Sequence, residues 1–381
     1  MGKFTESWTP CIILHPGMNE FSDSHLEAFR MLRSHLNAAY NNDGAALSAV
    51  YPPYSTFGAD YSAPSIHYIS NQSKNHGYSG SFVKSVLEAT TAGRETLDAI
   101  RKLLELPPPP LATFGKPLLD DVAEEWQDKH DEIYGEIAPG RLTRIGLDME
   151  DRTIALGRLV ANLNQLKSSY SMRYMVLGLC CWLFAYMMRQ GSDSSLLLVD
   201  ALQGGNPRIR AQSRTTYARA LDLFSSSYHR KFEDNNKSGI SEEDWNVFAD
   251  SVDAQQILDD HFRDLGVRIG IVQPRSAVAK YKHVELQADT LRVLAYSLLE
   301  QDQVLTLPEF ATRLRKTWSI VVGADAADGN MLRANRFGPL DQDEDLLPNA
   351  TAFQALLVRL GLAVEPSDGL TLVAIDAEEL I

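Results

Sequence analysis

Apolar residues recur at three- and four-residue spacing in six segments beyond residue 117, namely 118–136, 143–168, 170–190, 207–228, 241–265 and 284–300. Ile154, Leu156, Leu159, Val160, Leu163 and Leu166 form one such stripe, and the period is that of an amphipathic helix. Alternating runs of strand type are scarce, and no repeat period relates the segments. The expected fold is mainly α: a loop-rich, mixed N-terminal domain over 1–105, a Pro-rich linker over 106–117, a helical bundle over 118–300, and an acidic winged-helix-like unit over 301–381.

The linker reading rests on Leu106 to Pro117, where Pro107 to Pro110 remove backbone donors and favour a stiff, extended segment. Upstream, Cys11 to Leu14 reads as a short strand. Ser24 and Glu27 form a capping box that opens a helix with Leu26, Phe29, Leu32 and Leu36 on one face. Residues 41–80, rich in Tyr, Gly, Ser, Asn and Pro, lack periodicity; a loop of this length is a candidate partner-binding surface.

Toward the C-terminus, Thr306 and Glu309 form a second capping box before a helix with Phe310, Leu314 and Trp318. A loop over 323–348 follows. Asn349 is then placed to cap a helix carrying Phe353, Leu356, Leu357 and Leu360, which Gly361 ends. Leu362 to Val364 and Leu370 to Ile375 flank Asp368-Gly369, a hairpin signal. Helix, helix, hairpin is the order of a winged helix, yet residues 341–381 carry nine acidic side chains against Arg359 alone. Phosphate contact needs Lys and Arg, so this unit is expected to meet protein rather than duplex.

From Tyr174 to Met188 there are 15 residues with no charged side chain, bracketed by Arg173 and Arg189. At about 1.5 Å per residue the run covers roughly 22 Å, less than a bilayer core. It therefore reads as the central helix of the bundle, with Cys180 and Cys181 as small core hydrophobes.

The composition sharpens this picture. The 381 residues carry 36 Lys+Arg against 50 Asp+Glu, a formal net charge of −14. Such a balance repels phosphate backbones and anionic lipid except at a local basic patch. Three cysteines, two of them adjacent, make a poor disulfide framework, and no apolar run of signal length follows Met1. A cytoplasmic setting, with no membrane contact, is expected.

The one basic patch follows Gly204-Gly205. Pro207 to Lys231 holds six basic side chains against Asp222. Asn206 as cap and Pro207 at the first helical position place a helix N-terminus after the glycines, where free N–H groups favour an anion. Asn206, Arg208, Arg210, Ser213, Arg214 and Arg219 are therefore candidates for binding phosphate, either of nucleic acid or of a nucleotide. The competing reading pairs these arginines with acidic helices such as 120–132, or with an acidic partner.

Asp234, Asn236, Ser238 and Gly239 imitate the start of a calcium-binding loop, but its closing position is Trp245 instead of Glu. A turn followed by a helix capped at Ser241 accounts for the same residues. The nine histidines are dispersed, Asp341 to Asp345 reads as a solvated or partner-facing charge run, and no hydrolase, nucleotide-loop or metal motif occurs. No cofactor, metal or catalytic residue is assigned. The sequence points first to a non-catalytic adaptor subunit of a larger complex. Its protein contacts are assigned to the acidic C-terminal unit and loop 41–80, and a DNA-processing or phage-defence assembly is the setting considered, although no motif specifies one. The alternative is a phosphate binder acting through Arg208 to Arg219, and the third reading is an enzyme whose site is assembled from distant residues.

Overall fold

The computed structural model describes residues 83, 86–105, 140–166, 171–193, 195–236, 259, 262–276, 281–365 and 370–375. The expected features at 11–14, 24–36, 41–80, 106–117 and 118–136 lie outside these residues, as does the turn at 237–241. The chain divides into two compact units, Met1–Asp148 and Met149–Ile381. In the first, α1 (Thr91–Glu105) and α2 (Arg141–Asp148) are described, and Gly146 of α2 lies against Thr90 where a side chain would clash.

The second unit is mainly helical. Its helices are α3 (Glu150–Leu166), α4 (Ser171–Gly191), α5 (Pro207–Asn236), α6 (Ala288–Leu298), α7 (Leu307–Trp318), α8 (Ala326–Ala334) and α9 (Leu347–Arg359). The apolar run is α4, and it sits at the centre: Trp182, Leu183, Phe184, Met187 and Met188 are buried, with α3, α5 and α6 packed around it. Among the described residues no helix is long and apolar enough to cross a membrane. Phe184 meets Phe262, which also packs on Phe224 and Tyr217 of α5. Cys180 and Cys181 are free, buried thiols, and burial pushes the Cys181 thiol far up, so it behaves as a small hydrophobe. At Gly191 the α4 and α5 backbones come so close that a Cβ would lie 2.7 Å from the Phe224 nitrogen.

Helix ends are closed by neighbouring elements. The last carbonyls of α6 cannot find partners within their own helix. Buried Asn162 of α3 donates to the Tyr296 and Leu299 carbonyls at 2.7 and 2.9 Å. Arg158 and Arg313 donate to the Ser297 and Leu298 carbonyls, so positive charge lies at the negative end of the helix dipole. The expected capping box at Thr306 and Glu309 is formed at the start of α7.

Strands are short but central. β1 (Leu197–Leu198) pairs in parallel with β5 (Ile320–Val321). Val199 bridges in parallel to Val284 of β3 (His283–Val284), which pairs antiparallel with β2 (Val272–Gln273). Leu196 to Val199 and Ile320 to Val322 are continuous apolar runs, the composition of strands buried on both faces. The expected helix over 284–300 accordingly starts only at Ala288, because Val284 is committed to this array. The helix expected over 143–168 is two helices broken at Met149, and that over 207–228 runs on to Asn236.

A second sheet has the order β4-β7-β6, with β4 (Leu305–Thr306) and β6 (Ala363–Val364) both antiparallel to β7 (Leu372–Val373). Phe310 of α7 and Phe353 of α9 pack together in the core beside it. The segment expected to be a loop, 323–348, holds structure of its own: α8, capped by Asp325, and a π-helical turn (Gln342–Leu346) capped by Asp341. Short polar side chains at both starts supply the caps that make these elements possible.

Asn349 does not cap α9. It lies inside the helix, fully buried, and its amide nitrogen donates to the Val199 and Val322 carbonyls, each at 2.9 Å, while its oxygen accepts from the Ala201 N–H at 2.9 Å. Replacing Asn349 by Ala strands two buried carbonyls and a partly buried N–H, each buried group worth about 1–3 kcal/mol. Asn349→Ala is expected to cost about 4 kcal/mol in urea unfolding, with a leucine at the same position no better.

Candidate functional site

The Gly204-Gly205 segment does lead into a helix start. Gly204 holds a positive φ of 90°, and Asn206 caps α5 by accepting from the Arg208 and Ile209 N–H groups at 2.9 and 3.2 Å. Pro207 occupies the first helical position, where no donor is needed. The expected cap is thus in place, and the question is what faces it.

The facing group is the π-helical turn. Asn206 donates to the Asp345 carboxylate at 2.9 Å and to the Glu344 carbonyl at 3.3 Å. The Arg208 guanidinium lies 3.3 Å from Glu344 and 3.6 Å from Asp345. Asp345 is buried and also accepts from the Asp341 N–H at 2.9 Å. The acidic run is therefore folded against the positive end of α5, with carboxylates where an anion was expected. Asp341 accepts from the Asp343 and Glu344 N–H groups, which hold its carboxyl below the ordinary 3.8 with a smaller contribution from Arg208.

One turn further, Arg210 donates through Nε to the fully buried Asp200 carboxylate. Asp200 follows β1 and also accepts from the Gly204 N–H at 3.1 Å. The same guanidinium reaches Nδ1 of His283 at 3.4 Å, and Nε2 of His283 meets Glu285 at 3.3 Å. Carboxylate, guanidinium, imidazole and carboxylate thus run in series along the exit of β1 and β3. Ser213 is buried and exchanges hydrogen bonds with the Val284 backbone, accepting at 2.8 Å and donating at 3.2 Å, so it supports β3 and faces no solvent.

Arg219 donates to the Asn335 carbonyl and lies 5.2 Å from the Phe337 ring centroid. Arg214 stands apart, exposed, with its guanidinium 5.5 Å from the Tyr281 ring centroid. The six candidate residues therefore separate into three settings: Asn206 and Arg208 at the acidic turn, Arg210 and Ser213 at the strand exit, Arg214 and Arg219 on opposite aromatic neighbours. They form no single phosphate cradle. The arginine partners are Asp200, Glu344 and Asp345, while residues 120–132 lie outside the described residues, as does most of 234–245.

Sequence reading missed Asp200, His283 and Tyr281. Asp200 carries a usable signal, an acidic residue closing an apolar strand run and four residues ahead of a glycine pair. His283 and Tyr281 carry none, because only the crossing of β3 over α5 brings them in. Among the described residues no group of three or more His, Cys, Asp and Glu could hold a metal ion. Compared with known proteins, the chain matches no family model, no curated protein and no solved structure.

Removing Arg210 leaves a buried charge without its partner, the situation in which breaking an ion pair is most costly. Arg210→Gln is expected to lose about 3–5 kcal/mol in urea unfolding, and Arg214→Gln about 1 kcal/mol or less. The carboxyl of Asp341 is more acidic in the folded chain than in the unfolded one, so its contribution is complete above about pH 4 and disappears as pH falls further. Asp341→Ala should lower the melting temperature at pH 7, and the gap to the parent should narrow when both are melted at pH 2–3.

Proposed function

We propose that the chain is a non-catalytic adaptor subunit of a larger complex, acting in the cytoplasm and making protein contact through its acidic C-terminal unit. In this reading α7, α9 and the β4-β7-β6 sheet make a winged-helix-like module with α8 and the π-helical turn inserted between its two helices. The supporting observation is the outer face of α9. Leu347 is 54% exposed and Val358 39% exposed, with Thr351 and Ala355 exposed between them at helical spacing. Leu370, two residues before β7, is 53% exposed.

In a duplex reader this face would carry bases for phosphate and base edges; here the only basic side chain on α9 is Arg359. An exposed stripe on a unit whose Asp343, Glu344 and Glu365 are also exposed suits a partner that presents an apolar strip together with Lys or Arg. The internal pairing of Arg208, Arg210 and Arg219 counts on the same side, because arginines held by their own chain release few counterions from a nucleic acid. The cytoplasmic setting rests on the free, buried thiols of Cys180 and Cys181.

The test is affinity purification of the full-length tagged chain from its native host, with and without nuclease. Stoichiometric protein partners are expected to survive nuclease and to be lost, by at least about tenfold, in the Leu347→Glu/Val358→Glu variant, whose exposed positions leave the core intact. Recovery that depends on nucleic acid, or that is indifferent to both substitutions, would overturn the reading.

A further inference from the structure

A cavity of about 260 Å³ opens on the side of α5 away from the acidic turn, between α5 and the 281–282 segment. Arg214, Tyr217, Leu221 and Asp222 of α5 line it together with Asp259, Tyr281 and Lys282. On α5 these residues fall at i, i+3, i+7 and i+8, one face of the helix. Three polar groups in this wall stand out by what they lack. Lys282 is only 6% exposed, and its ammonium donates to the Pro274 and Ser276 carbonyls at 2.5 and 2.7 Å. Both acceptors are neutral; the carboxylate of Asp264 favours the charge only through space, and Arg263 opposes it. Burial accordingly lowers the affinity of this amine for its proton. Arg214, the most exposed of the candidate arginines that lack a carboxylate partner among the described residues, is held only against the Tyr281 ring, whereas Arg219 also donates to the Asn335 carbonyl. Tyr217 is 4% exposed, and its hydroxyl finds no hydrogen-bond partner there.

A buried ammonium held only by neutral acceptors and a buried hydroxyl left without a partner are each costly, and both line one cavity with a guanidinium that has no carboxylate partner among the described residues. We infer that this cavity is a binding site for a small organic anion bearing a single charged group, a carboxylate or a phosphate monoester, on an apolar body. The anionic group is held by Arg214 and Lys282 with the Tyr217 hydroxyl as donor. The apolar body lies against Leu221, and the Tyr281 ring, 70% exposed, covers the entrance. Asp222 sits two turns, about 12 Å, along α5 from Arg214. Its carboxylate and that of Asp259, which accepts from Ser225 on the next part of the helix, oppose a second negative charge at that end, so the site excludes polyanions such as a nucleic-acid backbone. The inference is independent of the adaptor reading, since α9 takes no part in the cavity.

The experiment titrates the full-length chain with phenyl phosphate, benzoate and inorganic phosphate, following ligand line broadening by NMR. Saturable binding of phenyl phosphate or benzoate is expected, tighter than inorganic phosphate, and the preferred member of the first two identifies the anionic group. Arg214→Gln and Tyr217→Phe should each weaken it at least about tenfold, and Arg208→Gln should leave it unchanged. Tyr217→Phe removes an unsatisfied hydroxyl, so its urea midpoint should equal or exceed that of the parent, which separates lost binding from lost folding. The inference is overturned if none of the three probes saturates, if Arg208→Gln weakens binding as much as Arg214→Gln, or if affinity survives both cavity substitutions.

Discussion

The carboxamide of Asn349 is where the second unit closes on itself. Three backbone groups, of Val199 at the exit of β1, of Ala201 two residues on and of Val322 just beyond β5, would lose this partner if the amide were absent. Two-residue strands supply too few ladder bonds to hold a parallel pair in register by themselves. The side chain of a helix nearly 150 residues further along the chain completes them. Because an amide offers both donors and an acceptor, one residue satisfies groups of opposite polarity, which no hydrophobic or purely acidic residue could do. The position of α9, and with it the outward stripe from Leu347 to Val358, follows from this anchorage.

Around that anchorage the charges are largely self-contained. A protein with a net charge of −14 has carboxylates to spare, and the fold directs two clusters of them onto its own basic helix. Asp200 meets Arg210 beneath the surface, while Glu344 and Asp345 meet Asn206 and Arg208 at the surface. The energetic consequences differ: a buried pair is rigid and expensive to break, whereas the exposed Arg208 contact is worth little alone and is weakened by salt. Arg214 and Arg219 lie outside both clusters: the helix turns Arg214 toward Tyr281 and Arg219 toward Phe337 and the Asn335 carbonyl.

Much of the helical framework was legible in the sequence. The apolar run at 174–188, the capping box at Thr306 and Glu309, the cap at Asn206 and the stop at Gly361 depend on local chemistry, and each stands where the spacing placed it. The errors share one cause. Asn349, Asp345 and Ser213 have side chains that serve partners 70 to 150 residues away, and a short polar residue looks the same whether it caps its own helix or bridges two distant strands. The apolar runs at 196–199 and 320–322 were too short to be told from helix interior by period alone. For the candidate site, residue types and the helix start were readable, but the division of its arginines among three settings depended on where β3 and the acidic turn cross α5.

The distance along the chain between α5 and the π-helical turn has a consequence for synthesis. Arg208 and Arg210 leave the ribosome about 135 residues before Glu344 and Asp345, an interval on the order of 10 s at ordinary elongation rates. Throughout that interval the nascent chain exposes a cationic helix start whose surface counter-charges do not yet exist, next to ribosomal RNA and other polyanions. Of the carboxylates that meet this helix among the described residues, Asp200, emerging just ahead of it, is the one available in time. Its early arrival lets the Asp200–Arg210 contact, ten residues apart in the chain, neutralise one charge of the basic patch before β5 and α9 are made.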